Sequence, residues 1–246
     1  MTYVLLTAIG IGGATVMGSV IGFFLRRTDG SSCELILAYA SGIMMAASVF
    51  TLVIPSVEGA LGLLGDVGVS VTVAGLFAGA LTLTLLDRLM ADKGETVTED
   101  ARDTHPLLFV LAIAIHNLPE GLAAGVSFGS GDVKDTILIS GSIALQNIPE
   151  GVVLIPPLIK EGFSPMRAFL IAASTGVIEV VGTLIGYFAV SISYAVLPFA
   201  LSFAGGTMLY VIADDMIPRT HSGSPRASTY LFLFGFATMV VFDALI

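Results

Sequence analysis

The sequence has no tryptophan, a single cysteine (Cys33), three histidines and only ten Lys and Arg among its 246 residues. One cysteine excludes a disulfide-stapled secreted scaffold. Scarce basic residues, set against 19 Asp and Glu and a net charge of −9, exclude a nucleic-acid binder, whose affinity would rest on phosphate contacts. Charge of either sign is short as well: 12% of residues, about half the roughly 25% usual in soluble domains. With 55% apolar residues and a mean hydropathy of +0.96, the chain lacks the polar surface that would keep such a core in water. The same apolar content excludes disorder. A polytopic membrane protein remains.

A bilayer-crossing helix needs about 20 mainly apolar residues. Eight such runs are expected, at roughly 3–25, 35–56, 67–87, 106–128, 136–158, 167–190, 196–217 and 228–246, giving an all-α bundle read as a single transmembrane domain over 1–246. The first run has no basic leader and is too long for a signal-peptide core, so it is expected to be retained. The longest link, about 88–105, carries seven charged residues between Arg88 and His105 and reads as a solvated mobile loop. Nine of the ten Lys and Arg fall on the odd-numbered links, and only Lys134 falls on the other side. The positive-inside rule then places the odd links in the cytoplasm and both termini outside. A missed helix would have scrambled that segregation.

Three carboxylates interrupt the apolar runs: Glu120 in the fourth span, Glu150 in the fifth and Glu179 in the sixth. No Lys or Arg lies at comparable depth to pair with them. An ionised side chain at the bilayer centre costs at least about 2.5–3.5 kcal/mol. These groups must therefore be protonated and hydrogen-bonded between helices, solvated in a water-filled cavity, or neutralised by a bound cation.

Their neighbours repeat. Ile113-Ala-Ile-His-Asn-Leu-Pro-Glu-Gly121 and Ile143-Ala-Leu-Gln-Asn-Ile-Pro-Glu-Gly151 lie 30 residues apart and share an Asn-x-Pro-Glu-Gly core. His116 precedes Glu120 by one helical turn, as Gln146 precedes Glu150, so each pair shares a face. Asn117 and Asn147 stand about 100° around the helix and flank that polar stripe. Pro119 and Pro149 have no N–H for the carbonyls of Ile115 and Leu145, which predicts a kink and two freed carbonyl oxygens at the same level. Imidazole among carboxylates suits Zn²⁺, Fe²⁺ or Mn²⁺, whereas Ca²⁺ or Mg²⁺ would not need His116. Bridging glutamates can hold one ion or two. Neutral donors among the acids suit a cargo that must also leave.

At these motifs the sequence resembles the ZIP (Zrt-, Irt-like protein) family of divalent-metal transporters, in its prokaryotic branch. The segment His116-Asn-Leu-Pro-Glu-Gly121 is similar to that family's fourth-helix signature, and Gln146-Asn-Ile-Pro-Glu-Gly151 to its fifth. The likeness extends over the whole chain, including eight spans, outward termini and a long third link. It implies an importer of divalent metal, zinc foremost with Cd²⁺, Fe²⁺ and Mn²⁺ as further candidates, in the plasma (inner) membrane. It further implies a first metal position from His116, Glu120, Gln146 and Glu150, completed by Met44 (favoured over Met45). An adjacent second position would use Asn117, Glu120, Asn147, Glu150 and Glu179. Two-metal members of the family can carry Asp at the position of Asn147, and some members carry His at that of Gln146. Where bacterial relatives often have His-Glu before a Met of the seventh helix, this chain has Asp214-Asp215. The long link has only His105 at its edge in place of a His-rich tract.

Candidate pathway residues are Glu34, Met208, Asp214 and Asp215, with Met208 equally readable as packing. Glu34, Glu58, Asp87 and Asp243 read as end residues in solvent, His221 as a loop residue and Cys33 as a reduced thiol. Gly75 with Gly79, and Gly121 with Gly125, allow close helix contact, within the chain or in a homodimer. The rival function is a proton- or sodium-coupled transporter of a non-metal solute using the same glutamates. An intramembrane metalloprotease would need a helical His-Glu-x-x-His, which is absent.

Overall fold

In lipid a backbone must satisfy its own hydrogen bonds, and long apolar runs therefore become helices. The computed structural model describes residues 1–25, 30–91, 106–128, 131–160, 162–192, 194–220 and 225–245, and among these no strand occurs. The helices are α1 (Thr2–Phe24), α2 (Gly30–Ala47), α3 (Ile54–Leu64), α4 (Gly68–Ala91), α5 (Pro106–Ser127), α6 (Val133–Lys160), α7 (Pro165–Ile192), α8 (Leu197–Val211), α9 (Ile217–Arg219) and α10 (Pro225–Leu245). A π-helical turn at Ser48–Val53 joins α2 to α3, and another at Ile212–Met216 joins α8 to α9. Six stretches of described residues are long and apolar enough to cross a membrane. One of them, Ser32–Leu85, has 54 residues and doubles back at Gly65–Val67. There Gly65 adopts φ 63°, which a side chain would resist. Past the turn, Ser56 and Thr72 meet at 2.9 Å across the hairpin.

Three end assignments differ from the hydropathy reading. The second span, expected to stop at 56, runs on through α3 to Leu64. α2 starts at Gly30, so Glu34 lies in its second turn and does not open it. α4 continues to Ala91, which puts Asp87 and Arg88 inside the helix. Hydropathy marks the hydrocarbon layer of about 30 Å, whereas a helix can continue through the polar interfaces. Residues 92–105 of the long link, with His105, and His221 lie outside the described residues.

Prolines account for the π turns. Pro55 and Pro218 offer no N–H to the carbonyls of Thr51 and Asp214, and the ladder shifts by one residue just ahead of them. Ile54 N–H reaches Val49 and Ile217 N–H reaches Ile212 instead. By contrast α5 and α6 run as α-helix through Pro119 and Pro149 without a π turn.

The helices sort into two groups. α1, α5, α6 and α7 pack on one another; α3, α4 and α8 form a second group, to which the α2–α10 pair is joined through the Ser48–Val53 turn. The first group is drawn together by glycines. Gly12 meets the backbone of Gly176, Gly18 that of Ile148, Gly121 that of Glu179 and Gly125 that of Thr183. Such approach of backbones is how helices associate without a hydrophobic drive between them. α5 and α6 also touch the second group, through α8 and α2 respectively, so they stand at the seam. The α6–α7 link closes with Gly162 at φ 90°, Gly162 N–H bonding Ile159 and Phe163 N–H bonding Leu158. This is the paired-bond helix stop that favours glycine.

Candidate metal centre

The repeated motifs meet at the heart of the first group. Gly121 follows Glu120 directly, and because it has no side chain the α7 backbone at Glu179 can lie against it. Gly182 makes the reciprocal contact with Leu118. Gly151, directly after Glu150, lies against Thr15 and Ser19 of α1. Each glutamate of the repeat is thus followed by a glycine that lets a third helix reach its level.

Glu120 and Glu179 expose no surface, and Glu150 exposes 3%. Asn117, Gln146 and Asn147 are equally buried. Gln146 Nε2 donates to Glu120 Oε1 at 2.7 Å, tying α6 to α5. Glu179 receives three donors: Thr15 Oγ1 and Asn117 Nδ2 on Oε1, and Asn147 Nδ2 on Oε2, each at 2.6 Å. Glu150 lies near enough to both Glu120 and Glu179 for the three carboxyl groups to interact.

These bonds fix which way the amides face. An amide nitrogen only donates and a carboxylate accepts, so the nitrogens turn to the glutamates and the oxygens turn away. Asn117 Oδ1, Asn147 Oδ1, Gln146 Oε1, Glu120 Oε2 and both oxygens of Glu150 have no partner. A buried unpaired polar atom costs roughly 1–3 kcal/mol, and more if charged. Among the described residues the same lack is found in only two other side chains, the hydroxyls of Ser140 and Ser228. Six unpartnered oxygens on two adjacent helices are a donor set suited to a cation.

Met44 is fully buried and belongs to the same packed cluster as Met208 of α8 and as Ala123, Ala124 and Ile143, which lie one helical turn along from Glu120 and Gln146. Met45 is only partly buried. His116 lies on α5 one turn before Glu120, but its side chain is outside the described residues. Among the described residues no three His, Cys, Asp or Glu side chains converge tightly enough to hold an ion by themselves. The carboxylates are interleaved with amides, as the hydrogen bonds above require. Asp214 and Asp215 fall in the second π turn, beyond Met208, where Asp215 pairs with Arg219 at 2.8 Å. Glu34, on α2, is half-buried.

The family model for ZIP zinc transporters matches residues 92–243. The chain is 39% identical over 245 residues to zinc transporter GufA of Myxococcus xanthus, covering 96% of this chain and 94% of that protein. It is 33% identical over 238 residues to zinc transporter ZIPB of Bordetella bronchiseptica, covering 94% and 77% of the two chains. Human zinc transporter ZIP11 is 40% identical over 143 residues, 55% of this chain and 42% of that one. The chain belongs to the ZIP family. It is a metal transporter and not an enzyme, and a multi-pass membrane protein consistent with a plasma-membrane location.

Within this ZIP transporter the sequence reading missed Thr15, which reaches Glu179 from the first span. A signal was present: Gly12, Thr15, Ser19 and Gly22 recur at helical spacing and make a small-residue face, and all four are buried. The two glycine pairs that were noticed are contacts within the chain, Gly75 and Gly79 against α8 and Gly121 and Gly125 against α7.

Proposed function

We propose that this ZIP transporter is an importer of divalent transition metal, zinc foremost, that carries its cargo on α5 and α6. Glu120, Glu150 and the outward-facing oxygens of Gln146, Asn117 and Asn147 are the donors. His116 and Met44 would add nitrogen and sulfur, a mixture suited to zinc and less to Ca²⁺ or Mg²⁺. The observation that supports this reading most is the set of six unpartnered buried oxygens on those side chains.

The topology we propose has eight crossings with both termini outside. Helix directions support the alternation within it: α1 runs alongside α6 in the same direction and against α7. A potential negative inside favours entry by about 2.3 kcal/mol per charge per 100 mV, hence roughly twice that for a divalent ion. Access alternates as α1, α5, α6 and α7 move as one body against the second group, whose α2 and α8 face α6 and α5. Asp214 and Asp215 then stand at the cytoplasmic end, and Glu34 at the same side. Release draws on competition by protons for the carboxylates, since only their ionised forms bind metal.

Proteoliposomes test the reading. Zinc uptake, with Cd²⁺, Fe²⁺ and Mn²⁺ as competitors, is expected in vesicles holding the wild-type protein and to vanish in the Glu120→Gln, Glu150→Gln double variant. Wild-type uptake by that variant, or a protein that retains no zinc and instead moves a solute with H⁺ or Na⁺, would sink it.

A further inference from the structure

We infer that Thr15 and Glu179 form a clamp that aims the amide oxygens of Asn117 and Asn147 at the ion, so that Glu179 positions ligands and does not itself bind the metal. The inference rests on the metal site proposed above and assigns separate tasks to its three carboxylates.

Glu150 has both oxygens unpartnered and Glu120 has one, whereas both oxygens of Glu179 are engaged. A carboxylate has about four acceptor positions, and three donors at 2.6 Å fill most of them on Glu179. Each donor comes from a different helix: α1, α5 and α6. The one position left is on Oε2, the oxygen that Asn147 Nδ2 already engages, so an ion taking it would sit against the hydrogens of that amide unless Asn147 turned its nitrogen away and withdrew its own oxygen from the ion. Binding by Glu179 and binding by the asparagines therefore compete. The glycine contacts favour the clamp, because Gly121 fixes the Glu179 backbone and Gly151 fixes Thr15.

Asn147 makes this possible. An Asp there would face Glu179 with an acceptor, and the two carboxylates would need a cation between them. The amide supplies an N–H instead, so the second metal position implied by the family resemblance is closed by a hydrogen bond. One ion per protomer follows.

The test uses the full-length protein in detergent and in proteoliposomes, with Zn²⁺ as probe. Stoichiometry is read by equilibrium dialysis, affinity by chelator competition, and uptake as KM and maximal rate. Wild type is expected to bind one zinc. Thr15→Val, which removes the hydroxyl at nearly constant volume, is expected to bind one zinc about 10- to 100-fold more weakly, the usual effect of losing a partner that orients a ligand. Its KM rises in step while the maximal rate changes less, and Thr15→Ser restores both. Asn147→Asp frees Glu179 and is expected to raise the stoichiometry to two, a result that does not depend on Thr15→Val folding. Two ions on wild type, an unchanged affinity and KM in Thr15→Val, or a single ion on Asn147→Asp overturns the clamp. The Glu120→Gln, Glu150→Gln protein separates the failures: zinc bound as in wild type refutes the site, whereas lost binding beside an unaffected Thr15→Val refutes only the clamp.

Discussion

The two helix groups bury polar side chains in opposite ways. In the second group, Ser41, Ser48, Thr51, Thr82, Thr84, Thr207 and Thr238 each return their hydroxyl to a carbonyl on their own helix. Bonds from Ser56 to Thr72 and to the Pro198 carbonyl, and between Tyr39 and Thr238, join helices there through neutral groups. The first group also contains such self-bonded hydroxyls, on Ser19, Ser142 and Thr175. Beyond them it joins four helices through carboxylates and amides and leaves six of those oxygens without partners. The difference shows what burial alone does not. A membrane helix hides a hydroxyl cheaply by bonding it locally, so a buried Ser or Thr says little of function. Carboxylates and amides cannot be hidden that way, and where they gather the interior is shaped for something charged.

The sharpest way to break this contrast is to neutralise one side of it. Glu150→Gln alone removes the carboxylate with both oxygens open and should lower zinc uptake roughly 100-fold or more, since even partners that only orient ligands are worth about 10- to 100-fold. Ser48→Ala and Thr207→Val, buried at similar depth in the other group, should leave uptake near wild type. Equal losses in both groups would show that depth and not chemistry sets the effect.

Next in size is packing. Gly121→Val would drive a side chain into the Glu179 backbone, with no flexible neighbour able to give way. Overpacking costs typically about 1–3 kcal/mol and occasionally more, and here it also displaces a member of the site. Thermal unfolding in detergent should show a clear loss, accompanied by weaker zinc binding. Gly10→Ala on α1 is the control, because its added methyl meets nothing within 4 Å. It should be neutral, or stabilise by about 0.4–1 kcal/mol through the unfolded chain. A Gly121→Val protein as stable as wild type would mean that α5 and α7 can part freely.

Most of this architecture was legible because lipid makes secondary structure simple. The eight apolar runs foretold the helices, and the paired Asn-x-Pro-Glu-Gly motifs foretold that α5 and α6 carry the polar centre. Less legible were the ends, where Glu34 and Asp87 lie inside helices that continue past the apolar run. Pro119 and Pro149 were read as kinks inside continuing helices, and α5 and α6 do continue through them; Pro55 and Pro218 follow π turns instead, a difference the local sequence does not reveal. Thr15 escaped because a lone hydroxyl in an apolar span usually bonds its own backbone. Only the packing of α1 on α7 shows that this one does not.

The buried contact among α3, α4 and α8 gives a smaller test. Ser56 joins three helices, to Thr72 at 2.9 Å and the Pro198 carbonyl at 2.6 Å, so Ser56→Ala should cost about 1–2 kcal/mol in unfolding without changing zinc affinity.

Smallest of all is Arg219→Gln. Arg219 and Asp215 pair at 2.8 Å across one turn, but their side chains keep 29% and 23% exposure. Water weakens such a pair and ordering two flexible side chains offsets part of the gain, so its loss should cost about 0.2–1 kcal/mol. At 1 M salt the screening length falls to about 3 Å, and the difference from wild type should nearly vanish. A loss above about 2 kcal/mol that persists in high salt would mean that Arg219 is locked into the second π turn by more than an exposed ion pair. The second group would then hold a charged centre of its own, and the contrast between the two groups would narrow at the π turn that carries Asp214 and Asp215.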